Sequence, residues 1–78
     1  MPELPVLKTR ELLAVLSKTG FKIASQKGSH IKLKKTTSDH VFVVIVPNHD
    51  QIRRGTLLSI IRQAGTTKEE FIEKWMRN

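Results

Sequence analysis

His40-Val41-Phe42-Val43-Val44-Ile45-Val46, closed by Pro47, is the most restrictive stretch of this chain. Side chains branched at Cβ lose χ1 freedom against a helical turn but pack well on a pleated surface, so the run is a strand. Pro47 has no N–H to give a ladder and ends it. Apolar residues fall on both faces, so alternation assigns no solvent side. Two solutions follow: a central strand covered on both faces, or a strand whose second face meets a partner.

Two strand-like segments come before it. Phe21-Lys22-Ile23-Ala24-Ser25-Gln26 alternates, with Phe21, Ile23 and Ser25 on one side. Lys27-Gly28 then reads as a tight turn, and His30-Ile31-Lys32-Leu33-Lys34 alternates again. Ile31 and Leu33 point one way; His30, Lys32 and Lys34 point the other. Thr36-Thr37-Ser38-Asp39 is a polar turn into the β-branched run. Three strands joined by short turns make an antiparallel meander.

Helices flank the meander. Met1 to Lys8, with Pro2 and Pro5, reads as an extended lead-in. Thr9 is the expected N-cap of a helix over about Arg10 to Thr19, with Glu11 in its first turn and Leu12, Val15 and Leu16 on its buried face. Gly20 stops it. After a polar loop, Thr56 is expected to cap a second helix whose stripe is Leu57, Ile60, Ile61 and Ala64, closed by Gly65. Thr67 and Glu70 match a capping box, so a short third helix follows, packing Phe71, Ile72, Trp75 and Met76. The expected fold is α+β: α-β-β-β-α with a three-stranded antiparallel sheet, helices on one face, and a short C-terminal helix. Phe21, Ile23, Ile31 and Leu33 should form the core face, leaving Lys22, His30, Lys32 and Lys34 on the open one.

At 78 residues the chain is expected to be one domain over 1–78, with a modest core of about 3–5 kcal/mol. It has no cysteine, which excludes disulfides and thiolate metal sites. No apolar run approaches the roughly 18–20 residues that span a bilayer, and no signal-peptide core is visible; a cytoplasmic protein is expected. Fourteen Lys and Arg oppose seven Asp and Glu, for a net charge of +7 with histidines neutral. That excess attracts a polyanion. No helix gathers lysines along one face, as a membrane-surface helix would, so nucleic acid is the favoured partner.

The chemistry-bearing group is Lys27-Gly28-Ser29-His30 with Lys32 and Lys34. Imidazole accepts or donates a proton near neutral pH, and the lysines can hold a phosphate. From these residues alone two readings stand: acid–base chemistry on a nucleic acid backbone, or an exposed strand histidine beside solubilising lysines. Gly28 either brings backbone close to a phosphate or serves only the hairpin. Ser29 either donates to substrate or satisfies its own turn. His49 is a second candidate acid or base, against a loop histidine fixing its own backbone. His40, opening a strand, reads as structural. Three separated histidines without carboxylates at ligand spacing make a poor metal site, so no metal and no cofactor are expected.

The element order with a basic open surface is that of double-stranded RNA-binding domains, which read shape and phosphates over about 16 bp. A narrower resemblance lies in the residues. Gly28-Ser29-His30, the valine-rich strand ending Val46-Pro47-Asn48-His49, and Gly55-Thr56-Leu57-Leu58-Ser59-Ile60-Ile61-Arg62-Gln63-Ala64-Gly65 together resemble the HicA toxin family. The match runs from Thr9 to Phe71; Asp50 departs from the glycine or basic residue that many relatives carry after the histidine. This resemblance implies a double-stranded-RNA-binding-like fold, messenger RNA cleavage, and inhibition by a HicB-like antitoxin, with DNA met only through that antitoxin. It also implies that the histidine of Gly-Ser-His, here His30, is catalytic. The expected reaction is metal-independent transesterification, with Lys27, Gly28, Ser29, Lys32 and Lys34 contacting RNA and His49, a lysine or water as the opposite acid or base. The alternatives are a non-catalytic double-stranded RNA-binding module and an interaction module for an acidic protein.

Overall fold

The computed structural model describes residues 4–48 and 51–77. Helix α1 spans Thr9–Lys18, strands β1, β2 and β3 span Lys22–Lys27, His30–Thr36 and Val41–Pro47, and helices α2 and α3 span Arg54–Gln63 and Lys68–Met76. The strands form one antiparallel sheet in the order β1-β2-β3. This is the double-stranded-RNA-binding-domain-like α-β-β-β-α fold with an added C-terminal helix.

The β-branched run is not the central strand. β2 is central, and β3 stands at an edge with Val41, Val43 and Ile45 exposed on the sheet's open face. Its other face, Val44 and Val46, is fully buried with Ile31 and Leu33 of β2 and the helix stripes. The run is therefore apolar on both faces without being covered on both.

Alternation fails in β1. Ile23 pairs with Leu33 and Ser25 with Lys32, so Ala24 is an extra residue that shifts the phase between them. Ser25 consequently joins the open face, opposite to its expected side. Ile23 is not core: it is 59% exposed. It lies on the helix side but at the sheet's edge, beside Leu13 and Ala14 in a shallow groove against α1. Phe21, just outside the strand, is buried as expected.

The helix starts also move. α1 begins at Thr9 itself, with Lys8 as N-cap, and the Glu11 carboxylate accepts from the Lys8 N–H at 2.9 Å. Thr9 is buried, and its hydroxyl donates to the Pro47 carbonyl at 2.8 Å instead of capping the helix. α2 begins before Thr56, with Arg53 at its N-cap. The capping box at α3 is present: the Glu70 N–H donates to the Thr67 hydroxyl at 3.1 Å. Phe71 and Ile72 are buried and Trp75 packs against the core, but Met76, expected inside, is 73% exposed at the last turn.

The lead-in is part of the core. Leu4 and Leu7 are buried, and Leu7 bridges Ile52, whose N–H donates to the Leu7 carbonyl at 2.7 Å. Gly65 follows α2 with φ of 71°, and a Cβ there would collide with the Phe42 ring. Glycine is required twice over at that position, by conformation and by packing.

Candidate active site

Lys27 and His30 flank a two-residue hairpin loop, Gly28-Ser29. Gly28 has φ of 59° and no described non-glycine residue has positive φ, the pattern of a turn with glycine at its first central position. Nothing lies within 4 Å of where a Gly28 Cβ would stand, so conformation rather than packing demands glycine. The turn is tied to the end of β3, because the Asn48 N–H donates to the Ser29 carbonyl at 2.6 Å. Thr9 holds the neighbouring Pro47 carbonyl from the other side. His30 thus opens β2 at a braced corner of the sheet, with its side chain exposed.

Cross-strand partners share a face of an antiparallel ladder. The open face therefore carries three rows: Lys27, His30 and Pro47; Ser25, Lys32 and Ile45; Lys22, Lys34 and Val43. Strands lie about 4.8 Å apart and like-facing residues about 6.7 Å apart along a strand, so one imidazole and four ammonium groups share a patch three rows deep. The rows are lopsided. Cations occupy the β1 and β2 columns, and the β3 column is apolar.

The expected residues divide accordingly. Lys27, Gly28, Ser29 and His30 come together at the hairpin, Lys32 lies one row along, half-buried between Ser25 and Ile45, and Lys34 lies a row further on the same face. Lys35, next in the sequence, turns to the helix side and sits over the Phe21 ring, 5.9 Å from its centre. His40 lies at the far end of β3, its ring tilted against Phe42 with centroids 4.4 Å apart. His49 and Asp50 lie outside the described residues. Among the described residues no three His, Cys, Asp or Glu stand together as metal ligands.

Sequence reading missed the surroundings of Pro47. A cleft of about 370 Å³ opens between the end of β3 and the start of α2, lined by Pro47, Gln51, Ile52, Arg53 and Thr56. Its position depends on the Thr9–Pro47 bond, between residues 38 apart in the chain, and on the Leu7–Ile52 bridge. No local pattern signals either contact.

Fold and face together define a small protein of the double-stranded-RNA-binding-domain-like fold with a histidine set in a basic surface. Residues 9–66 match the family of HicA toxins of bacterial toxin–antitoxin systems. The chain belongs to the HicA toxin family. Compared with the curated proteins, it has no match. No helix among the described residues is long and apolar enough to cross a membrane.

Proposed function

We propose that this single-domain toxin is a messenger RNA endoribonuclease of the cytoplasm, with His30 as its general acid or base, and that a HicB-like antitoxin inhibits it by covering the open face. The observation that carries the reading is the exposed His30 in a row with Lys27, with Lys32 one row and Lys34 two rows along the same open face. In the reaction a base takes the proton of a ribose 2′-hydroxyl, and the oxygen forms a bond to the adjacent phosphorus. The bond from phosphorus to the 5′-oxygen breaks, and an acid protonates that oxygen. The products carry a 2′,3′-cyclic phosphate and a 5′-hydroxyl. Lysine ammonium groups offset the charge that builds on the non-bridging oxygens. Gly28 leaves open space beside the turn, so backbone can approach a phosphate there.

His30→Ala tests the assignment. Loss of one positioned acid or base costs about 10²–10⁴-fold in rate, so RNA cleavage and toxicity should vanish at ordinary expression. The side chain is exposed, and such a change moves stability by about 0.5 kcal/mol or less. A folded mutant that still cuts RNA and arrests growth removes His30 from the mechanism. Full protection of RNA without cleavage by the parent protein, with and without EDTA, would favour the binding module.

Occlusion follows from the mixed character of the face. Acidic groups of an antitoxin would meet the lysines, and its apolar groups would meet Val43 and Ile45, which are 39% and 41% exposed. On antitoxin binding, hydrogen exchange should slow across residues 27–35, while the buried stripe Leu57, Ile60 and Ile61 changes little. Slowing confined to the helices would defeat occlusion.

A further inference from the structure

Pro47 belongs to two surfaces at once. On the sheet it is the ladder partner of His30. On its other side it walls the 370 Å³ cleft that Ile52, Arg53, Gln51 and Thr56 complete. Ile52 is buried and its N–H is held by Leu7, so the cleft has a fixed floor. Arg53, Gln51 and Thr56 are exposed around it. They supply a guanidinium, an amide and a hydroxyl, and no carboxylate among the described residues lines the cleft.

The cations of the open face explain why this cleft matters. An RNA strand cut at His30 must be held on both sides of the cleaved linkage, because a misplaced phosphate loses the attacking geometry. Lys27, Lys32 and Lys34 serve only the β1 and β2 side. Toward β3 the face offers Pro47, Ile45 and Val43, none of which can hold a phosphate. Arg53 lines the cleft that is walled by Pro47, the ladder partner of His30, and brings a cation to that end of β3.

We propose that the Pro47–Arg53 cleft is an RNA phosphate subsite flanking the cleaved linkage, with Arg53 as a positioning residue. This rests on the endoribonuclease reading. A guanidinium grips a phosphate through two parallel N–H bonds, whereas an ammonium acts as a point charge. Arg53 therefore fixes the strand's direction across the hairpin corner, and the surrounding lysines contribute diffuse attraction.

The test compares Arg53→Ala, Arg53→Lys and the parent protein on a short single-stranded RNA, and on the same RNA with a 2′-deoxy sugar at the cleaved position. Arg62→Ala, in the last turn of α2, is the charge control. Arg53→Ala should raise KM and weaken binding of the uncleavable RNA by the same factor, about tenfold or more for the loss of a charge-assisted contact. The slope of log affinity against log salt should fall by about 0.7, one phosphate of a single strand. Arg53→Lys should restore that slope but only part of the affinity, and Arg62→Ala should leave both at the parental value. Unchanged affinity and slope in Arg53→Ala overturn the subsite, as does an altered sequence preference at the parental slope, which would mean base reading. If the parent protein cuts no RNA, the ribonuclease reading fails by itself, and the salt slope on the uncleavable RNA still decides the cleft.

Discussion

The two faces of β2 differ as much as any two regions of this protein. Ile31 and Leu33 point to the helices and are buried, whereas His30, Lys32 and Lys34 alternate with them and point to the uncovered face. One strand of seven residues thus carries the centre of the core and the centre of the candidate active site. On the helix side each residue is constrained by neighbours in a close-packed interior. On the open side side-chain identity is nearly free of stability demands, so chemistry can occupy it. The contrast teaches that in a chain this small a candidate site lies open on the surface, in a sheet face and a groove beside it, because too little interior exists to enclose one.

Breaking the comparison from the inside should have the largest effect on the fold. Leu33→Ala removes a side chain that is 1% exposed at the middle of the central strand, at a cost of about 2–5 kcal/mol. A domain of this size holds only about 3–5 kcal/mol in reserve. Urea denaturation should show the variant largely unfolded; a midpoint near the parent's would mean that the sheet's inner face is not the core. Gly65→Ala is the next largest. A left-handed backbone conformation costs about 1–2 kcal/mol for alanine, and the Phe42 ring must also move. Its midpoint should fall clearly but less than that of Leu33→Ala.

The open side should respond in binding and hardly at all in stability. Replacing Lys32 and Lys34 together by Ala should leave the denaturation midpoint within about 0.5 kcal/mol of the parent. RNA affinity should drop, and its salt slope should flatten by about 0.7 for each phosphate that is no longer neutralised. A parental slope would show that these two lysines do not face RNA. Set beside His30→Ala, this pair separates holding from cutting: the lysine variant binds weakly, and the histidine variant binds without cleaving.

The two sheet edges sharpen the same point. β1 is exposed throughout, bulged and rich in lysine, which discourages pairing with another chain. β3 is apolar and is guarded differently. The Gln63 side chain of α2 accepts from the Ile45 N–H at 3.5 Å, a long bond, and Pro47 ends the strand without an N–H to offer. The exposed row Val41, Val43 and Ile45 remains beside the basic columns.

Local chemistry was sufficient for the elements and for the outward phase of His30. Alternation around Ile31 and Leu33, the glycine turn at Gly28, the stripe from Leu57 to Ala64 and the Thr67–Glu70 box each act over a few residues, so the sequence determined them before any fold existed. The same holds for the family motifs at the hairpin, at the end of β3 and in α2. Coverage was different. A run apolar on both faces is compatible with cover on both or with one open face, and only the packing of helices on a single side of the sheet left Val41, Val43 and Ile45 open. Ile23 has the right residue type and the right side, yet α1 only partly covers it, because coverage is a property of the assembled layers. Leu7 and Ile52 read as lead-in and loop until the bridge between them closes. Thr9 is a natural cap until Pro47, 38 residues away, claims its hydroxyl. The cleft beside Pro47 exists only through these contacts: each links residues distant in the chain, and no short-range dihedral or spacing preference encodes where such residues meet.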